Sequence, residues 1–221
     1  MGKGRRMHMR AMFRSGIAGA AAAAALAGSI SCGDVARQGR SPSLLVVDTL
    51  QAASGADPGN LTSFLLSDVV TRVDQTVNGE TRRVPTIFND VGQATLRLVL
   101  KDQGTDGSGV APSTLNSVTL KSYHVRYLRA DGRNAPGVDV PFPIDGAVTT
   151  TLSGGSAVIP FEIVRHQAKL EPPLSAMASG GGRVFISTIA EVTFYGTDLA
   201  GNDIQGTGTI SVSFGDYADP E

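Results

Sequence analysis

The sequence predicts an all-β protein, an antiparallel sandwich of two sheets built from roughly eight to ten strands. Three observations carry that expectation. Beyond Leu44, apolar residues recur at every second position, the period of strands with one buried face. Turn-forming pairs such as Asn78-Gly79 stand between these runs, where hairpins need them. No stretch holds a sustained 3.6-residue period, and the dozen-residue helical crossovers that parallel strands require are missing.

The first segment, residues 1–31, reads as a signal peptide. Lys3, Arg5, Arg6, Arg10 and Arg14 supply five of the 19 basic residues, and no acid precedes Asp34. An apolar run follows over residues 16–30, with six consecutive alanines from Ala20 to Ala25 at its centre. That run is short and weakly apolar, whereas a permanent span wants roughly 20 strongly apolar residues. It therefore reads as a segment to be removed. The adjacent Arg5 and Arg6 are a feature of twin-arginine export signals, although Met7-His8-Met9 does not continue that pattern.

Cys32 is the only cysteine, which excludes an intrachain disulfide and any paired-cysteine metal or redox site. It stands directly after the apolar run. Gly28-Ser29-Ile30-Ser31-Cys32 resembles the lipobox of bacterial lipoproteins, with Ser29 departing from the preferred Leu or Val. The resemblance implies lipid attachment at Cys32 and anchoring in a bilayer, since each buried methylene contributes about 0.8 kcal/mol. Gly33 then lacks the aspartate that holds such proteins at the inner membrane, so the resemblance implies the outer membrane. Ala25-Leu26-Ala27 offers the competing exit of an ordinary signal peptide, which would release a soluble protein with a free thiol. Residues 32–43, rich in Gly, Arg, Ser and Asp, read as a flexible tether.

The sandwich is expected over residues 44–217. Ala94, Leu96, Leu98 and Leu100 alternate with Thr95, Arg97, Val99 and Lys101, Tyr123, Val125 and Tyr127 alternate with His124, Arg126 and Leu128, and Ile159, Phe161 and Ile163 form another apolar row. Val184, Ile186, Ala190, Val192 and Phe194 share a face, and so do Ile210, Val212 and Phe214. Residues 44–47 and 64–73 are apolar on both sides and read as central strands. Residues 168–178 leave room for one short helical turn around Pro172 and Pro173. Asn78-Gly79 marks a type I′ hairpin, while Asp131-Gly132, Asp145-Gly146 and Gly154-Gly155 read as further turns.

Near the carboxyl terminus, Asp198-Leu199-Ala200-Gly201-Asn202-Asp203 between Val192 and Phe214 resembles the Asp-x-Ala-Gly-Asn turn that joins the closing strands of bacterial immunoglobulin-like and fibronectin-like modules. The resemblance implies an immunoglobulin-like sandwich. Gly201 supplies a positive φ there, and Asn202 tolerates one.

Chemistry is sparse. The net charge beyond the leader is acidic by about six, with no basic stripe for nucleic acid. His124 and His166 stand at unrelated positions on expected strands. Glu162 lies four residues before His166, about 13 Å along a strand, so two surface imidazoles are the simpler reading. No catalytic serine elbow, zinc-binding His-Glu-x-x-His or phosphate-cradling loop is present. No cofactor is expected. Asp198, Asn202 and Asp203 are the best-placed calcium ligands, against a plain turn-forming role. With no Trp and 5% aromatics, no sugar-stacking surface is evident. The loop at 134–143, with Pro136, Pro141 and Pro143, either presents Val138, Val140 and Phe142 to a partner or straps them over a sheet edge.

Taken together, these features predict a non-catalytic envelope lipoprotein whose sandwich binds another envelope protein or polymer. A small-molecule or polysaccharide-binding lipoprotein for uptake is the alternative, and an envelope hydrolase the third class.

Overall fold

The computed structural model describes residues 39–102, 111–178 and 184–217. The expected leader, Cys32 and the first part of the expected tether lie outside them. Every described strand lies in the unit from Ser41 to Glu221.

Those strands are, in chain order, β1 (Ser43–Ala53), β2 (Phe64–Asp68), β3 (Thr71–Val77), β4 (Glu80–Thr86), β5 (Asp90–Leu100), β6 (Val118–Leu128), β7 (Ile144–Leu152), β8 (Ser156–Val164), β9 (Phe185–Asp198) and β10 (Asp203–Gly215). Among the described residues one short α-helix, α1 (His166–Leu170), lies between β8 and β9, followed by a 3-10 turn at Leu174–Met177. One sheet has the order β1-β5-β8 and the other β2-β10-β9-β6-β7, while β3 and β4 form a two-stranded ribbon by themselves. The protein is all-β, as its alternating sequence requires.

Alternation decides which side chains fill the core. In β5, Ala94, Leu96 and Leu98 are buried, and in β6 Tyr123, Val125 and Tyr127. In β9, Ala190, Val192 and Phe194 point the same way, with Ile210, Val212 and Phe214 of β10 beside them. Both sheets contribute to one contiguous apolar cluster. Across it Tyr127 Oη donates to the Ile163 carbonyl of β8 at 2.5 Å, giving a buried hydroxyl its partner.

Aromatic rings cover glycines within this layer. Tyr123 pairs across strands with Gly146, and Phe161 with Gly92. A Cβ at Gly146 would lie 2.2 Å from the Tyr123 ring, and one at Gly92 2.4 Å from Phe161. The two rings meet edge to face at 5.4 Å, a favourable aromatic geometry.

Several expectations are corrected. The sheets are not wholly antiparallel, because β2 runs parallel to β10. A parallel pair needs a long connection, and almost the whole domain lies between these two strands. Residues 44–47 and 64–68 belong to edge strands, not central ones; they look two-sided because Leu44, Phe64 and Leu66 are exposed apolar residues. Asp145-Gly146 lies inside β7 instead of in a turn, since Gly146 is the position that the Tyr123 ring covers. Asn78 and Gly79 do close the β3–β4 hairpin, with φ of 56° and 84°, the left-handed pair of a type I′ turn.

Candidate functional site

At one side of the sandwich the two sheets part between β7 and β8, the outer strands of each. A cleft of about 490 Å³ opens there. Tyr123, Phe161 and Val91 supply apolar surface, Gly146 and Ala147 one wall, and Pro160 and Glu162 the other, with Arg165 completing the lining.

Backbone edges invite unwanted strand pairing, and both walls are blunted. Pro160 lacks an N–H, and the Glu162 N–H donates across the sandwich to Tyr123 Oη at 3.1 Å. On the opposite wall, the Asp145 carbonyl accepts from the Arg165 guanidinium. Farther along β7 a bulge sets Val148 and Thr149 together against the partner strand, which further spoils the edge. An added strand would therefore find few free backbone groups on either wall.

A polar chain borders it. His124 Nδ1 lies 2.7 Å from Asp145 Oδ1, and Arg165 Nε lies 3.5 Å from Glu162 Oε2. Asn89 Nδ2 donates to Glu162 Oε1 at 2.9 Å, and the His166 backbone N–H donates to Asn89 Oδ1 at 2.7 Å. His166 opens α1 rather than continuing β8, so the strand spacing expected between Glu162 and His166 does not apply; Asn89 joins them instead.

Helix α1 is fixed by a buried ion pair. Lys169 Nζ lies 2.9 Å from Asp90 Oδ1, both side chains being essentially inaccessible. Asp90 also accepts from Ser67 Oγ at 2.6 Å and from the Gly55 N–H at 3.0 Å. The carboxylate is thus fully satisfied, the condition on which a buried charge is tolerated. It ties α1, β2, β5 and the loop after β1 together. Because Arg165 is the residue before α1, this brace also sets where the guanidinium stands.

The residues expected to matter fall elsewhere. Asp198 Oδ1 accepts from the Ala200 and Asn202 N–H groups at 2.9 and 2.8 Å, and Oδ2 from Asn202 Nδ2 at 2.9 Å. Burial pushes its carboxyl up, but donors from Asn202, Ser41 and Ala200 outweigh that and hold it below the usual range. The carboxylate is engaged in closing the β9–β10 turn, where Gly201 alone has the positive φ, at 78°. Asp203 is exposed at the start of β10. Among the described residues no three His, Cys, Asp or Glu converge on a metal position.

In the 134–143 loop, Val140 is buried in the core, while Val138 is 72% and Phe142 50% exposed. The Phe142 ring lies over Gly137, where a Cβ would come within 2.4 Å. The segment is part strap and part exposed surface. Cys32 lies outside the described residues.

Sequence reasoning took Gly146 only as part of a turn and passed over Arg165 and Pro160. Only Pro160 carried a local signal, since proline within a strand pattern marks an edge. Comparison with protein-family models, curated proteins and solved structures finds no match.

Proposed function

We propose that this chain is a non-catalytic, lipid-anchored module of the bacterial envelope, held at the outer membrane through Cys32, whose sandwich binds a protein partner in the cleft between β7 and β8. The observation that carries the reading is the cleft, with its apolar floor, blunted strand edges and opposite charges at its margin. Binding sites combine largely apolar walls with a few placed polar groups.

The strand order supports an immunoglobulin-like assignment of the sandwich. With β1, β5 and β8 as strands A, B and E, and β6, β9 and β10 as C, F and G, the inner order of both immunoglobulin sheets follows, and β7 takes the C′ place. The fold by itself names no ligand.

The test is site-directed photocrosslinking in living cells, using the full-length protein with a photoreactive residue at Ala147, in the cleft, or at Thr209, on the exposed outer face of β10. The reading expects a discrete adduct from position 147 and none of the same mass from position 209. Equal adducts from both positions, or none from either, would overturn it.

A further inference from the structure

We propose that the cleft captures the carboxyl terminus of a partner polypeptide, with the terminal carboxylate on Arg165 and an apolar last side chain against Tyr123 and Phe161; this rests on the binding-module reading above. Arg165 carries five N–H donors in a rigid fork. One group donates to the Asp145 carbonyl, and the contact of Nε with Glu162 is long, at 3.5 Å. The side chain is 42% exposed and lines the cleft. It makes no capping hydrogen bond to α1. Its remaining donors match a carboxylate, which a guanidinium binds in bidentate fashion.

Glu162 narrows the choice of anion. Its carboxylate is held by Asn89 on one oxygen and faces Arg165 with the other. A single negative charge shares the guanidinium with it, whereas a phosphate group would add a second charge beside Glu162 and be repelled. The Tyr123 hydroxyl accepts from the Glu162 N–H and keeps its own hydrogen to donate. Its ring and Phe161, in contact at 5.4 Å, are 6% and 7% exposed and form the floor of the cleft, where only their edges meet a side chain. An interior stretch of chain would instead seek main-chain pairing, which Pro160, the committed Glu162 N–H and the β7 bulge deny.

The experiment is fluorescence anisotropy with the full-length protein in detergent micelles. The probes are a labelled hexapeptide ending in phenylalanine with a free carboxylate, its carboxamide, and the same peptide ending in phosphoserine amide. The free acid is expected to bind at least about tenfold more tightly than the carboxamide, the effect of losing one charge-assisted contact. Arg165→Gln should abolish that preference and Arg165→Lys retain part of it, with the thermal melt of each variant checked against wild type. Equal binding of acid and amide, or tighter binding of the phosphopeptide, overturns the proposal. If no peptide binds while the Ala147 adduct persists, carboxyl-terminal capture falls and the binding module stands. If the adduct is also missing, both fall.

Discussion

A methyl group placed on Gly146 would meet the Tyr123 ring at 2.2 Å, and one on Gly92 would meet Phe161 at 2.4 Å. Neither ring can retreat, because each is packed against the other and Phe161 lies 5.6 Å from Phe194 behind it. Gly146→Ala or Gly92→Ala is therefore expected to cost about 1–3 kcal/mol, the range for overpacking a filled core, read as a lower melting temperature. An unchanged melt for both variants would mean that the rings move freely. The turn at Asp198 makes a different prediction. Its depressed carboxyl stabilises the fold above the unfolded-state pKa near 3.8, and that contribution is lost as pH falls through the folded value. Asp198→Ala should cost about 1 kcal/mol near neutrality, and the difference from wild type should close in strong acid. A pH-independent difference between the two would assign the effect to backbone geometry instead of to charge. The turn itself was legible from Asp198 through Asn202. What the carboxylate does there was not, because a calcium ligand and a turn-capping acceptor use the same oxygens, and only the directions of the neighbouring N–H groups separate them.

At the scale of elements, the β3–β4 ribbon and α1 make opposite cases. The ribbon follows from Asn78-Gly79 and alternation alone, and most of its side chains are exposed. Isolated two-stranded hairpins are only marginally stable in water. Replacing residues 72–85 by a short glycine turn should accordingly leave the melting temperature within a few degrees of wild type, about the shift of 1 kcal/mol in a domain of this size. A collapse of the fold would show that the ribbon supports the core. In α1, five residues are too few to hold a helix by themselves, and the Lys169–Asp90 pair does so. Lys169→Met leaves Asp90 buried without its counter-charge, for an expected loss of about 3–5 kcal/mol. Joint replacement of Lys169 and Asp90 by apolar residues of similar volume should recover much of that loss, since it removes the uncompensated charge. A double variant as unstable as the single one would locate the defect in packing. Nothing in the spacing of Asp90 and Lys169, 79 residues apart, announces this pair, and a lysine near an expected helical turn reads as solvent-facing until the fold buries it.

For the molecule as a whole, alternation was enough to predict sheets and a shared core, because period two sends whole sets of side chains to one face. It said nothing of strand order. The parallel β2–β10 edge and the parting of β7 from β8 arise from where the chain crosses between sheets, a long-range property that no local window contains. The cleft was illegible for the same reason: Tyr123, Gly146, Glu162 and Arg165 meet only once β6, β7 and β8 are assembled. The proposed anchor is the reverse case, an expectation read entirely from contiguous residues. Two or three acyl chains on one cysteine would hold the domain on a bilayer almost irreversibly, since single-chain binding is marginal and each further chain multiplies it. Mass measurement of the mature amino-terminal peptide, from protein made in a bacterial host, is expected to give an acylated peptide beginning at Cys32, and Cys32→Ala should release the protein from the membrane fraction. A peptide beginning at Gly28 with an unmodified thiol would make the chain a secreted domain. The cleft would then act free of any surface, and its partner would be sought in solution.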